Sequence, residues 1–113
     1  MEQAADRLTL QISVTNGAAV VRCGGKLVAG VTDLLYDQVR KLLPETKHIV
    51  LDLTDLKQMD SMGIGTLVRL YVSAKSAGCD LQLINLGKRI RELLGVTHLL
   101  SVFAACGDPG IRM

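Results

Sequence analysis

An Asn16-Gly17 dipeptide separates two short apolar runs near the amino terminus, and it restricts the possible folds strongly. Both residues tolerate positive φ, so the pair is typical of the tight turn of a β-hairpin. Before it, residues 8–15 alternate apolar and polar side chains, which is the period of a strand with one buried face. After it, residues 18–23 form a second apolar run. The sequence therefore predicts that the chain begins with an antiparallel hairpin.

Beyond the hairpin, helical and strand patterns alternate. We expect Gly24-Gly25 to end the second strand, a helix capped by Thr32 to run as far as Pro44, and a turn at Thr54-Asp55. The other expected elements are an apolar strand buried on both faces at 48–53, a long helix at 61–77 closed by Gly78, a strand at 81–84, a short helix at 88–94 ended by Gly95, and a last strand at 101–105. This order predicts one α/β domain over residues 1–113, with a mixed sheet opened by a hairpin and flanked by helices. We expect its ordered core over about residues 6–106 and a loose tail from Gly107.

Composition and charge exclude some classes of function. Apolar residues make up 49% of the 113 residues, which is enough for one compact core, and aromatic residues only 3%. Few aromatic side chains argue against a protein that stacks nucleic-acid bases. The net charge is +2, and the densest basic run, residues 88–91, is followed at once by Glu92, as in a solvated helix end. We therefore expect no nucleic-acid partner.

The cysteines and histidines do not predict a disulfide framework or a metal site. Cys23, Cys79 and Cys106 are odd in number and lack a Cys-x-x-Cys spacing. His48 and His98 are far apart in sequence, without another ligand nearby. The amino terminus lacks a signal-peptide pattern, and no apolar run approaches the roughly 20 residues that span a bilayer. We expect a cytoplasmic domain without a metal, a cofactor or membrane insertion.

The start of the long helix, residues 59–65, carries the functional inference. At about 100° per residue, one side of this helix is expected to face the sheet. That side collects Ile64, Leu67, Val68, Tyr71 and Ala74. The opposite side collects Met62, Thr66, Arg69, Ser73 and Ser76. An exposed thioether among small residues suits an adaptable protein contact, although single exposed apolar side chains also occur without a function.

Gly63 and Gly65 lie in the first turns of this helix, where each costs about 1 kcal/mol relative to Ala. Their presence indicates that either a partner or a neighbouring loop of the chain itself approaches closely. Asp60 and Ser61 can each cap the unpaired N–H groups of the first turn. A phosphate at this helix start would leave the helix folded, because the dipole favours negative charge there, and would block a docking surface.

These segments resemble STAS domains, and more narrowly the bacterial anti-sigma-factor antagonists. Residues 49–53, Ile-Val-Leu-Asp-Leu, and 59–67, Met-Asp-Ser-Met-Gly-Ile-Gly-Thr-Leu, are similar to the family signature, typically Asp-Ser-Ser-Gly-Leu-Gly after an apolar strand. Residues 25–27 resemble the family's Gly-Glu-Leu-Asp turn, and residues 89–103 resemble its closing helix and last strand. The resemblance implies a mixed sheet flanked by helices and a role in binding, not catalysis.

Family membership implies partner switching. In this family, the unphosphorylated domain binds an anti-sigma factor, usually a serine kinase, and so frees a sigma factor. The kinase phosphorylates the antagonist, and a metal-dependent serine phosphatase removes the phosphate. The usual phosphoacceptor is the second hydroxyl residue of the motif, where this chain has Met62, so Ser61 is the candidate acceptor. Val28 stands where the family's turn usually carries an acid. We expect the partner-binding residues to be Asp60, Ser61, Met62, Gly63, Gly65, Thr66 and Arg69.

Three other functions are compatible with a chain of this size. An enzyme is disfavoured because the sequence offers no credible carboxylate pair and because Gly63-Ile64-Gly65 lacks the third glycine of a dinucleotide fingerprint. A receiver-type domain with Asp52 or Asp60 as phosphoacceptor would need paired acids at the end of the first strand, and residues 8–15 have none. A constitutive STAS subunit of another assembly, such as a lipid-transport or stress-signalling complex, is favoured by the missing hydroxyl at Met62.

Overall fold

A computed structural model of the chain describes residues 7–96. Its elements are β1 (Thr9–Thr15), β2 (Ala18–Leu27), α1 (Thr32–Leu42), a 3-10 turn (Leu43–Glu45), β3 (His48–Met59), α2 (Ser61–Ser76), β4 (Asp80–Ile84) and α3 (Lys88–Val96). The predicted α/β class and the opening hairpin are confirmed. The expected strand at 101–105 and the tail from Gly107 lie outside the described residues. No helix within 7–96 has both the length and the apolar character to cross a membrane.

The four strands form one mixed sheet in the order β1-β2-β3-β4. β1 and β2 are antiparallel across the predicted turn, where Asn16 and Gly17 have φ of 49° and 81°. β3 runs parallel to both β2 and β4. Parallel strands joined through a helix are right-handed in nearly all proteins, and both connections advance in the same direction across the sheet. α1 and α2 therefore lie side by side on the same face, and they contact each other.

The core lies between these two helices and one face of the sheet. Val21, Leu51 and Leu83 are register partners on neighbouring strands, and each is fully buried. Leu67 and Leu70 of α2 are also fully buried. Each such side chain contributes roughly 1.5–3 kcal/mol relative to an exposed one. The sheet and helices are thus held together by aliphatic packing.

The opposite face of β3 is less covered than the sequence predicts. Val50 and Asp52 on that face are only half-buried, whereas Ile49 and Leu53 on the helix-facing side are fully buried. The expectation of a strand buried on both faces is therefore wrong for the described part of the chain. A continuous apolar run does not by itself distinguish a strand buried on one face from one buried on both.

β2 and β3 are both longer than predicted. Gly24-Gly25 does not end β2, because the strand absorbs the two glycines through register shifts against β3. The predicted turn at Thr54-Asp55 is also wrong, since β3 continues until Met59 pairs with Leu27. This extra length matters for the site, because it brings the end of β2 against the start of α2.

The helix ends agree only in part with the sequence analysis. Gly78, at φ 72°, follows α2 as predicted, and its N–H donates to the Lys75 carbonyl at 3.1 Å. Thr32 is the first residue of α1 and is buried, and it follows the N-cap Val31 instead of capping the helix itself. Gly95 lies within α3 and does not end it.

Candidate functional site

Asp60 fixes the start of α2. It is the N-cap residue in an extended conformation, and its Oδ1 accepts a hydrogen bond from the Gly63 N–H at 3.0 Å. Its Oδ2 accepts a second one from the N–H of Ala29, in the β2–α1 loop, also at 3.0 Å. These bonds, Ala29 first and Gly63 second, hold the pKa of the Asp60 carboxyl below its usual value. Asp60 thus caps α2, as predicted, and it also joins the start of this helix to the β2–α1 loop, which the sequence analysis did not predict.

Ser61 does not cap the helix, so that part of the interpretation is wrong. It is the first residue of α2, one position too late for a side chain that caps N2 or N3, and Asp60 already fills that role. The Ser61 side chain is exposed, and within residues 7–96 its hydroxyl makes no hydrogen bond. The hydroxyl is therefore accessible for modification or for a partner.

The two glycines of this helix start have different surroundings. Gly63 is buried, and a Cβ there would lie 2.2 Å from the Leu27 carbonyl oxygen and 2.6 Å from Cγ of Met59. Gly63 is thus explained by close approach of the chain itself, which was one of the two alternatives from sequence. Gly65 is exposed, and a Cβ there would have no neighbouring atom within 4 Å. Packing within the described domain gives no reason for Gly65.

Thr66 lies on the buried side of α2, whereas the sequence analysis predicts it on the exposed side. It is only 3% exposed, and its hydroxyl donates to the Met62 carbonyl at 2.9 Å. The buried face of α2 is centred on Gly63, Leu67 and Leu70. At 100° per residue, this centre lies roughly 70° around the helix axis from the centre of the predicted buried face. The close approach at Gly63 accounts for the rotation, because it turns this side of the helix toward β2. The Thr66 side chain is therefore not available to a partner, and Gly63 is not either.

The outer side of α2 presents soft and basic side chains. Met62 is 55% exposed and Val72 is 56% exposed, and Arg69 between them is exposed as well. The prediction that Met62 points outward is confirmed. Of the expected partner-binding residues, the structure places Ser61, Met62, Gly65 and Arg69 on this outer side, with Asp60 at its edge.

Tyr36 of α1 belongs beside this surface, and sequence reasoning missed it. The Arg69 guanidinium lies 4.0 Å from the centroid of the Tyr36 ring, and that of Arg40 lies 5.6 Å from it. The Tyr36 and Ser73 hydroxyls are 3.5 Å apart. This contact first, and then the two positive charges, hold the pKa of Tyr36 below its usual value. The i, i+4 spacing of Tyr36 and Arg40 on α1 could indicate their contact from sequence. The contacts with Arg69 and Ser73 depend on the packing of α1 on α2, which no sequence spacing indicates.

Asp52, the other acid considered as a phosphoacceptor, is occupied by hydrogen bonds. Its Oδ1 accepts from the Thr54 N–H at 3.0 Å and from Nδ2 of Asn85 at 3.1 Å. Burial acts to raise the pKa of Asp52, but hydrogen bonds from Thr54 and Asn85 outweigh it and lower the pKa. Asp52 therefore ties β3 to the loop after β4. His48 contacts Asp80 at 3.3 Å, at the opposite end of β3 from Asp60.

The cysteines that the structure describes behave as core residues. Cys23 is fully buried on β2, and burial followed by the nearby Asp52 charge raises its pKa to about 12. Cys79 is also buried, and burial again raises its pKa. Thiols with raised pKa values are poor nucleophiles at neutral pH.

Comparison with known proteins agrees with this architecture. The STAS domain profile matches residues 9–109. An anti-sigma F factor antagonist from Paenibacillus polymyxa is 26% identical over 99 residues, covering 84% of this chain and 85% of its own. The crystal structure of an anti-sigma factor antagonist from Mycobacterium paratuberculosis superposes with a TM-score of 0.76 at 21% identity, over 90% of this chain and 87% of that one.

The same fold occurs in proteins with other tasks. A sulfate transporter family protein from Wolinella succinogenes superposes with a TM-score of 0.70 at 22% identity, over 80% of this chain and 75% of that one. Fold likeness at this level does not distinguish an antagonist from a transporter domain. With its profile match over most of the sequence, its mixed sheet and its helix start at Asp60, the chain belongs to the STAS domain family.

Proposed function

We propose that this chain is an anti-sigma-factor antagonist that binds a serine-kinase-type anti-sigma factor in the cytoplasm and so frees a sigma factor. The outer side of the first turns of α2, with Ser61, Met62, Gly65 and Arg69, is the contact surface. The chain acts by binding and carries out no reaction itself. The observation that carries this proposal is the exposure of Met62, 55%, beside an open Gly65.

Two physical features support docking at this position. The Met62 thioether is flexible and polarisable, so it can adapt its shape to an apolar partner surface. Gly65 has no side chain to keep a partner's backbone away from the helix, and nothing in the described domain occupies that space. The Asp60 bonds to Gly63 and Ala29 hold the surface in place before any partner arrives. Preorganisation of this kind lowers the entropic cost of association.

Ser61 is the proposed phosphoacceptor, because Met62 has no hydroxyl and the Ser61 hydroxyl is exposed. A phosphate on Ser61 adds nearly two negative charges at the positive end of the helix dipole, so the helix stays folded. The bulky, hydrated group would cover Met62 and repel the partner. A metal-dependent phosphatase would reverse the modification.

Affinity capture from the source organism tests the binding surface. We expect the native chain to retain a serine-kinase-type anti-sigma factor and the Met62→Glu variant to lose it, with affinity reduced about a hundredfold and an unchanged melting temperature. Val14→Glu is the matched control, since Val14 is similarly exposed, 48%, but lies on β1. Unchanged capture by Met62→Glu would remove this surface from the proposal.

Phosphorylation is tested separately with the captured kinase. Mass spectrometry after incubation with ATP should find phosphate on Ser61 in the native chain and none on Ser61→Ala. If the native chain also stays unmodified, the phosphorylation switch at Ser61 is wrong even when binding is intact.

The second candidate function is a constitutive STAS subunit of another assembly, such as a lipid-transport or stress-signalling complex. The specific observation in its favour is Met62 at the position where the antagonist motif has its usual acceptor hydroxyl. The same capture experiment separates the two functions. Recovery of a transporter ATPase in place of an anti-sigma factor supports the subunit and contradicts the antagonist.

A further inference from the structure

The exposed side chains of α2 form a stripe that is much longer than its first turn. Met62, Gly65, Arg69, Val72 and Ser76 are all exposed and recur at intervals of three and four residues. We call this set the α2 stripe. At 1.5 Å per residue it is about 21 Å long, which is the length of a short helix or of one edge of a protein contact. Single exposed apolar residues are ordinary, but Met62 and Val72 lie on the same line.

Arg69 is the one charged side chain of this stripe, and α2 contains no acidic residue. No ion pair joins Arg69 or Arg40 to a carboxylate of residues 7–96, and both stack against Tyr36. Stacking on an aromatic ring orients a guanidinium, and a guanidinium can bind a carboxylate with two parallel hydrogen bonds.

The stripe ends at a groove of about 1120 Å³ between the ends of α1 and α2. Its walls include the apolar residues Leu43, Pro44 and Val72. Two basic residues, Arg40 and Lys47, and one acidic residue, Glu45, also line it, so its ionised side chains carry a net positive charge. Of the acidic residues of α1, Asp33 lies in the first turn, away from the groove, and Asp37 lies at the middle of the helix. Because α1 and α2 run in the same direction, Arg40 near the end of α1 lies on the groove side of the stripe.

We infer that the α2 stripe and this groove bind an amphipathic helix of the partner protein, with apolar side chains on Met62 and Val72 and with Asp or Glu side chains on Arg69 and Arg40. The inference rests on the proposed function, since the occupant is the same partner. It extends the contact surface from the first turn of α2 along the whole helix and states the chemistry of the partner. The same stripe of a second copy is a poor occupant, because the stripe has no acidic residue that could pair with Arg69.

Two synthetic helical peptides test the chemistry without any anti-sigma factor. Both carry the same stripe of Leu over about 18 residues, which spans ~27 Å, and their polar positions are Glu in one and Lys in the other. Each is titrated into the full chain labelled with ¹⁵N. We expect the Glu peptide to shift the amide signals of Gly65, Arg69, Val72 and Ser76, and the Lys peptide to bind at least about tenfold more weakly.

Variants then identify the side chains responsible. Arg69→Glu and Val72→Asp should each weaken the Glu peptide about tenfold or more, while Val14→Glu on β1 leaves its affinity unchanged. Arg69→Lys should restore only part of the affinity, because an ammonium cannot bind a carboxylate with two parallel bonds.

Several results would overturn the inference. These are equal affinity for the two peptides, shifts confined to β1, and no shifts with either peptide. If the amide signals of the stripe shift with phosphatidylglycerol vesicles but not with the Glu peptide, the surface binds a lipid. If they shift with the concentration of the chain alone, the surface serves self-association. Failure to capture a kinase would contradict the proposed function while leaving the peptide result to stand.

Discussion

The inner and outer sides of the α2 start use similar residues for opposite purposes. On the inner side, Gly63 is buried and lets the helix approach the Leu27 carbonyl. On the outer side, Gly65 lies two residues later with open space above it. The same difference separates Asp60, whose carboxylate makes two structural hydrogen bonds, from Ser61, whose hydroxyl makes none within 7–96. A single short motif therefore combines residues required by the fold with residues that the described domain leaves unexplained.

The largest effect is expected on the inner side. Gly63→Ala places a Cβ 2.2 Å from a backbone oxygen, which cannot move without disturbing β2. We expect the free energy of unfolding to fall by about 2–3 kcal/mol, as for other overpacked sites. Urea denaturation followed by circular dichroism measures it. A loss below about 0.5 kcal/mol would show that the two sides do not differ in this way.

An intermediate effect is expected at the edge between the two sides. The pKa of Asp60 is lowered in the folded state, so this carboxylate contributes stability above its ordinary pKa of 3.8, and the contribution is lost as pH falls through the lower folded value. Asp60→Asn should reduce stability at pH 7 and flatten the decline below pH 4. Urea midpoints from pH 2 to pH 7, compared with a control Asp37→Asn variant at an exposed position of α1, test this. An unchanged pH profile would mean that the Asp60 carboxylate does not stabilise the contact between the start of α2 and the β2–α1 loop.

The smallest effect is expected on the outer side, and it has the opposite sign. Gly65→Ala adds a methyl group to open space and removes backbone freedom, so it should stabilise the domain by about 0.5–1 kcal/mol. The same change should weaken the partner that approaches this position. Thermal unfolding and partner affinity are measured on one preparation. Greater stability with undiminished affinity would leave Gly65 without a role in binding.

The sequence predicted the order of the elements well, because hydrophobic period and turn residues are local signals. The hairpin at Asn16-Gly17 and the C-cap at Gly78 both appear as expected. The lengths of β2 and β3 were underestimated, since pairing between them carries the strands through Gly24 and through Thr54-Asp55. That pairing joins residues about thirty positions apart, and a local pattern contains no trace of it.

The site was predicted in outline and misjudged in orientation. Met62 points outward as expected. The helical period also predicts Thr66 on that exposed surface, but the Thr66 side chain is buried. Residue type alone could not settle this, because a hydroxyl that bonds the helix's own carbonyl is compatible with burial. Tyr36 was missed because its contact with Arg69 joins two different helices.

The double hydrogen bond of Asp60 has a consequence for how such a domain can acquire new partners. Because the carboxylate joins the start of α2 to the β2–α1 loop from within, the exposed positions 61, 62 and 65 contribute little to the framework that displays them. We expect single substitutions there to change stability only slightly. A domain arranged in this way can gain or lose a covalent switch, or recognise another protein altogether, by substitutions at a few exposed positions.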